Sequence, residues 1–376
     1  MTEALASGLA QRGHDVLVIS ASFGGAPRDE VRDGYRVVRL ESWSLPKSKL
    51  TFRFDINFVS SPRNFRALFR LLDEFRPDVI HQHGQFFDLT FMSSIYARRR
   101  KVPTVLSVHT RLEHPSPVHG LILWAGDLSL VRSFIAISKP HVVIMDEPMH
   151  RYVRRRYGVP EQRLVPIPVG VEPLRFENVD GTAVRDELGI GERPMLLSLG
   201  HVIPLRDRLA LVEALPLILE KVPELAVVVV GEVYDDRFLQ RARVLGIEHR
   251  LIITGGVPKD AVPAYLAAAD IEVHDLQGHG LGTASLEVMA AGVPIVAALR
   301  PDNFPGITLR SGRDLMIVPL GDERALADAV VRLLDDRELA ARLAEGQRQL
   351  VLEHFTTDVL IERHISLYRR LQLASG

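Results

Sequence analysis

Short apolar runs recur along the chain between polar loops, at DVLVIS (15–20), DVIHQH (78–83), TVLSVHT (104–110) and FIAIS (134–138). Runs of this length, bounded by turn residues, predict strands buried on both faces, and the helical patterns between them supply the crossovers that parallel strands require. A second series begins at MLLSLG (195–200) and continues through AVVVVG (226–231), RLIITG (250–255), DIEVHD (270–275), PIVAAL (294–299) and LMIVP (315–319). Two series predict an α/β protein made of two doubly wound domains. Between them PIPVGVEPLRFENVDGTA (166–183) is rich in Pro, Gly and polar residues, lacks periodicity and reads as the connection. Ligands of such sheets bind beyond the carboxyl ends of the strands, so a cleft between the domains is the expected site.

A length of 376 residues suits two domains, each large enough to bury a core. An apolar content of 47% with 25% charged residues excludes wholesale disorder. No stretch of uninterrupted apolar residues approaches the length of a membrane span, and the start lacks the order of a signal peptide, so the cytoplasm is the expected location. The absence of cysteine removes disulfides, thiolate nucleophiles and cysteine metal sites. The net charge of -1 conceals an asymmetry: through Phe176 there are 25 Lys and Arg against 17 Asp and Glu, and beyond it 21 against 30. The basic first half, with Arg98-Arg99-Arg100-Lys101 and Arg154-Arg155-Arg156, suits either anionic lipid headgroups, in a peripheral contact at the inner face of a membrane, or an anionic acceptor, while a solvated helix face also accounts for the runs. Few aromatics and no recognisable binding motif argue against a nucleic-acid partner.

The candidate chemistry centres on LQGHGLGTASLEVMAAG (276–292). Gly278, Gly280 and Gly282 let the backbone approach a ligand closely, and Thr283 and Ala284 open a helix whose first N–H groups and dipole favour an anion. Glu287 follows one turn into that helix. His81 and His83, two apart on a strand, share a face with His109 nearby, but the third ligand and Glu-bearing helix of a zinc site are missing, so no metal is expected.

Taken in order, several segments resemble the GT-B glycosyltransferases of the large retaining family four: LASGLAQRGHDVLVIS, RPDVIHQHG, VPTVLSVHT, YGVPEQRLVPIPVGVEPLRF, LLSLGHVIPLRDRLALVEALPLI, GLGTASLEVMAAGVPIVAA, GDERALADAVVRLLDD and HFTTDVLIERHISLYRRL. The resemblance covers nearly the whole chain. It implies two Rossmann-like domains facing across a cleft: an acceptor-side domain at 1–172, a linker at 173–192, a nucleotide-sugar-binding domain at 193–355, and a helix at 356–376 crossing back to the first domain. It also implies transfer of a sugar, with retention, from a nucleotide-diphosphate donor to a hydroxyl of a glycan, glycolipid or small acceptor. No cofactor or metal is implied, the donor being a co-substrate.

The resemblance assigns residues as well. Glu287 takes the place of the glutamate that accepts from the ribose hydroxyls; Gly280, Leu281, Gly282 and Thr283 form the turn over the diphosphate; Gly200 closes the LSLG strand; and Gly255, Gly256 and Val257 lie against the base. Arg206 stands where a lysine is usual and becomes the candidate cation on the leaving group, while His109 matches a histidine near the donor sugar. His83 and Gly84 border the acceptor. Ser138 matches a serine at the entry of a helix. Three departures remain: His201 stands where arginine is common, His279 where a second glutamate touches the donor sugar, and the sequence opens inside the expected first helix. A central first strand and its glycine loop are therefore expected some 15 to 25 residues upstream. The altered donor positions keep a second reading open, a non-catalytic GT-B protein that binds a nucleotide sugar or glycan. A sugar-nucleotide epimerase fits the order of segments less well.

Overall fold

The computed structural model describes residues 2–44, 57–112, 117–273 and 275–375. The chain divides into two compact units: Met1–Met145 and Met149–Ile167 with Leu360–Gly376, and Asp146–Pro148 with Pro168–Val359. His274, inside the expected strand 270–275, lies outside the described residues.

The first unit runs α1 (Thr2–Gln11), β1 (Leu17–Ala21), β2 (Asp29–Arg32), β3 (Tyr35–Leu40), β4 (Trp43–Ser44), β5 (Asn57–Phe58), α2 (Pro62–Phe75), β6 (Ile80–His83), α3 (Asp88–Arg100) and β7 (Thr104–Ser107). It continues with α4 (Pro117–Gly126), a π-helical turn (Asp127–Val131), α5 (Arg132–Ser138), β8 (His141–Ile144), α6 (Glu147–Tyr157) and β9 (Leu164–Pro166). Strands β6, β7, β8 and β9 form a four-stranded parallel sheet in that order. A separate sheet orders β1-β3-β2, with β1 and β3 parallel. Both β1 and β6 are edge strands. A cavity of about 820 Å³ is lined by Leu17 to Ala21 from one side and Ile80 to His83 from the other.

FIAIS (134–138), read above as a strand, is helix α5 instead. Val131, Phe134 and Ile135 fall at helical spacing and bury one face, which a short apolar run does not reveal by itself. The helix ends at Lys139, whose left-handed backbone (φ 47°) lets its N–H close on the Ile135 carbonyl. The strand starts only after Pro140, as HVVI (141–144). Ser138 thus ends a helix rather than beginning one, its Oγ donating to the Phe134 carbonyl at 3.2 Å.

The second unit holds α7 (Thr182–Glu187), β10 (Met195–Leu199), α8 (Leu209–Lys221), β11 (Ala226–Val230), α9 (Arg237–Val244), β12 (Leu251–Gly255), α10 (Val262–Ala268), β13 (Ile271–Glu272) and α11 (Thr283–Ala291). β14 (Val296–Ala297), β15 (Met316–Ile317), α12 (Glu323–Asp335) and α13 (Arg337–His354) follow, and α14 (Thr357–Ser375) passes into the first unit from Leu360 onward. The parallel sheet is ordered β12-β11-β10-β13, and a bridge from Glu272 to Ile295 leads toward the β14-β15 pair. β10 (MLLSL) and β11 (AVVVV) are buried along their whole length because helices cover both faces, and the polar Ser198 of β10 and Glu272 of β13 are fully buried with them. The segment read as a linker packs into this unit: Val184 and Ile190 are buried in its core.

Candidate functional site

In the second unit the carboxyl ends of β10, β12 and β13, the loops that follow them and the first turns of α11 carry Gly200, His201, Arg206, Gly255, Val257, His279, Gly280, Leu281, Gly282, Thr283 and Glu287. Gly200 follows β10 and Gly231 follows β11. The Gly231 amide donates to the Gly255 carbonyl at 2.8 Å, and a Cβ at Gly231 would lie 2.4 Å from the Gly200 carbonyl oxygen. The three strand ends are therefore drawn together at glycine. Val257 is partly buried against the core beneath.

The turn after β13 leads into α11, which starts on Gly282 with no side chain capping it. Its first N–H groups thus face outward from a helix N-terminus, the arrangement that attracts an anion. Arg206 comes from the loop after β10 and lies against this terminus: a Cβ on Gly282 would sit 2.8 Å from its Nη1. Gln277 ties the two loops by donating to Asp207 at 2.6 Å. The loop is braced from below by Arg208, fully buried, whose guanidinium donates to the Arg206 carbonyl at 2.8 Å and the Gly200 carbonyl at 3.0 Å. Burial lowers the Arg208 pKa, opposed by Glu272 and Asp275.

Not every backbone group of the turn faces outward. The Leu281 amide donates to Asn303 Oδ1 at 3.3 Å, and Leu281 itself is buried. Asn303 is also buried and its Nδ2 has no partner. Thr283 is exposed at the start of the helix, and Glu287 lies one turn later on the same face. The Glu287 side chain is 18% exposed, with Arg175 Nη1 3.9 Å away. Burial raises the Glu287 pKa, while Arg175 and Lys259 pull it down. Arg175 in turn donates to the Lys259 carbonyl at 3.2 Å. His279 is half-buried on the turn. The His201 Nδ1 accepts from the Glu232 amide at 3.0 Å, which leaves Nε2 as the ring's donor in the neutral tautomer.

In the first unit His83 ends β6 and His109 follows β7. Their rings lie parallel, with Nδ1 of one 3.2 Å from Nε2 of the other. Gly84 follows in a left-handed conformation (φ 85°) with its amide donating to the Ser107 carbonyl. His81 has both ring nitrogens engaged, by Tyr368 at 2.6 Å and Ser107 at 2.8 Å. Stacked on it is His364 of α14, buried, its Nδ1 2.8 Å from the Leu360 carbonyl. Burial holds these imidazoles neutral, pushing His83 down to about 3 and His109 and His364 to about 4. Among the described residues no group of three or more His, Asp or Glu is arranged to hold a metal ion.

Arg208, Asn303 and Arg175 were missed by the sequence reading, because no spacing or composition marks them. They act through loops that meet only in the folded unit. The structure gathers Gly200, His201, Arg206, Gly255, Val257, His279, Gly280, Leu281, Gly282, Thr283 and Glu287 in the second unit, and His83, Gly84 and His109 in the first.

Residues 1–175 match the description Glycosyltransferase Family 4, and residues 193–336 match Glycosyl transferases group 1. A GDP-mannose-dependent alpha-(1-6)-phosphatidylinositol monomannoside mannosyltransferase of Mycolicibacterium smegmatis is 32% identical over 218 residues, 54% of this chain and 56% of that protein. The match thus spans little more than half the length of that relative. A 2-deoxystreptamine N-acetyl-D-glucosaminyltransferase of Streptomyces fradiae is 27% identical over 96% of this chain and 87% of its own. Among solved structures, Anabaena HepE in complex with UDP and glucose superposes with a TM-score of 0.70 at 16% identity, covering 97% of this chain and 94% of HepE. At that identity the likeness establishes the fold, GT-B.

Proposed function

The chain belongs to glycosyltransferase family 4 and has the GT-B fold, and on that premise we propose that it moves a sugar from a nucleotide-diphosphate donor to a hydroxyl of a glycan, glycolipid or small acceptor. The observation that carries this reading is the meeting of Arg206 with the uncapped N-terminus of α11, one helical turn from the half-buried Glu287. A carboxylate accepts from both hydroxyls of a ribose diol, and Arg175 is the cation it would exchange for them. The helix N-terminus and Arg206 then hold the diphosphate, whose negative charge grows as the bond to the sugar breaks. Donors fixed where charge develops stabilise the transition state more than the ground state, by several kcal/mol in a water-poor site. No metal is required for that step on this reading, since a guanidinium and helix-end amides supply the positive potential.

The acceptor hydroxyl approaches the face from which the diphosphate departs, which gives retention. The departing phosphate oxygen receives the acceptor's proton. His109, kept neutral and paired with His83, orients sugar or acceptor hydroxyls by hydrogen bonding rather than by charge. His201, with its Nδ1 facing the Glu232 amide, and His279 stand where the family usually has arginine and glutamate at the donor and would alter which sugar is accepted. The protein would act in the cytoplasm, peripheral to the inner face of the membrane, and need no cofactor beyond its donor.

The test is ligand-induced stabilisation by UDP-, GDP- and ADP-sugars, followed by donor hydrolysis. A donor at a hundredfold its dissociation constant stabilises by about 2.7 kcal/mol, a shift of several degrees. Glu287→Ala should cut donor affinity about tenfold or more, the worth of a hydrogen bond to a charged group. Unchanged affinity in that variant would remove the ribose assignment. Binding without hydrolysis or transfer would leave a nucleotide-sugar-binding protein.

A further inference from the structure

Helix α4, the π-helical turn and α5 run on as one rod from Pro117 to Ser138, of which the second half is anchored in the core and the first stands largely exposed. From Asp127 onward its inner side is core: Asp127 and Val131 are inaccessible, and Phe134 and Ile135 are buried, whereas none of the described side chains of α4 is buried. Its outer side carries large apolar residues in the open, with Val118, Leu121, Ile122 and Leu130 60 to 66% exposed and Trp124 45%. Scattered exposed apolar residues need no explanation, but five along some 18 Å of one helix form a patch that does.

Charge indicates what covers it. Asp127, the sole acidic residue between Pro117 and Ser138, is turned inward, accepting from the hydroxyls of Tyr152 and Tyr157 with Arg156 Nε 3.5 Å away. The outer face is therefore free of negative charge. Arg132 is exposed on the next turn and Lys139 at the end of α5. Arg98 donates to the Ile137 carbonyl at 3.3 Å, which fixes the exposed basic run Arg98-Arg99-Arg100-Lys101 at the same end of the rod. An uncharged apolar face containing a tryptophan, with cations gathered beyond one end, matches the interface of an anionic bilayer.

We infer that the rod from Val118 to Leu130 is an in-plane membrane anchor, its outer side entering the headgroup boundary of a bilayer that contains anionic phospholipid. Gly120–Ser138 is long and apolar enough by length and composition to cross a bilayer. Crossing would tear Val131, Phe134 and Ile135 from the core and place Asp127 in hydrocarbon, whereas lying in the plane disturbs neither. The inference deepens the membrane part of the proposed function, naming the surface at which a lipid-linked acceptor would be met. It rests on that reading for its purpose and not for its test.

The chain has two tryptophans, so Trp43→Phe leaves Trp124 as sole reporter. The full chain carrying that change is mixed with phosphatidylcholine vesicles, with and without phosphatidylglycerol, and no donor. Expected are flotation with the anionic vesicles, a blue shift of Trp124 emission, and at least tenfold weaker binding when Leu121→Glu and Ile122→Glu are combined. Because both side chains are exposed, the double variant should keep its thermal midpoint and its donor-induced shift. Arg132→Glu should weaken binding at low salt and matter less at high salt. Absence of flotation and of a blue shift overturns the inference, whatever the enzyme does with its donor. A dimer that forms without lipid and is abolished by Ile122→Glu also overturns it, making a second copy the occupant.

Discussion

On the proposed function, a single Cβ at two glycines of the second unit would separate an effect on catalysis from one on stability. At Gly282 the backbone is extended (φ −107°), so alanine fits the main chain, but its methyl would take the place of the Arg206 guanidinium. Gly282→Ala should leave the thermal midpoint nearly unchanged and lower kcat as far as Arg206→Ala does, on the order of 10²-fold. In a double-mutant cycle the two losses should not add. At Gly231 the backbone is left-handed (φ 141°) and the obstruction is the Gly200 carbonyl, which cannot move aside. Gly231→Ala should instead cost about 2 kcal/mol or more in stability, measured by denaturant midpoint. The histidines give a pH signature. His83, His109 and His364 bind protons near pH 6.5 when unfolded, yet only near 3 to 4 when folded, because burial disfavours the charged ring. The unfolded chain thus gains protons first as pH falls. The stability is whole above pH 6.5 and declines toward pH 4, by up to about 1.4 kcal/mol per pH unit for each such group. His364→Leu should flatten the slope of thermal midpoint against pH between 7 and 5, since a proton on its buried, partnerless Nε2 would have no acceptor. An unaltered slope would exonerate this residue. The glycines and Glu287 were legible in the sequence because spacing alone marks a turn before a helix. Arg208 and Asn303 were not, since their roles come from carbonyls and amides contributed by other loops.

Among the elements, the continuous runs were the legible ones: Met195–Leu199 and Ala226–Val230 are buried along their whole length, so apolar sequence and strand coincide. The misread segment is instructive. FIAIS is as apolar as any strand of the first unit, and only its registration with Val131 three residues earlier shows the helical period. Toward β14 and β15 the strands shrink to two residues, because pairing is lost before the apolar run ends. A different consequence attaches to β1 and β6, which each have one neighbour and face the same cavity. In an edge strand alternate N–H groups lack a ladder partner, and these exchange with solvent on local opening rather than global unfolding. Hydrogen exchange should therefore be at least tenfold faster at alternate amides of 17–21 and 80–83 than in β10 and β11, which are paired on both sides. Uniform protection across both segments would mean that an extended chain fills the cavity and pairs with each edge.

At the scale of the whole molecule the two units differ in charge, yet the chain does not divide simply in two. The final helix starts at Thr357 in the second unit, beside Val171, whose carbonyl accepts from the Thr357 amide at 2.9 Å. From Leu360 it belongs to the first, where Leu360, Ile361, Ile365, Leu367 and Leu371 pack with Leu5, Val105, Val143 and Ile167. It also brings His364 and Tyr368 to His81. Burying five such aliphatic side chains contributes on the order of 10 kcal/mol, comparable with the entire net stability of a domain. Removal of residues 360–376 should accordingly unfold the first unit, although the deletion lies at the opposite end of the chain from α1 and β1. The second unit keeps its own core and the loops around Gly200 and Gly282, so it should remain folded and, on the proposed function, still be stabilised by a nucleotide sugar. Limited proteolysis would then cut within 2–144 while sparing 195–355, and calorimetry would retain one donor-sensitive transition. Loss of both units together would show instead that their folding is one cooperative event, with the last helix its common support.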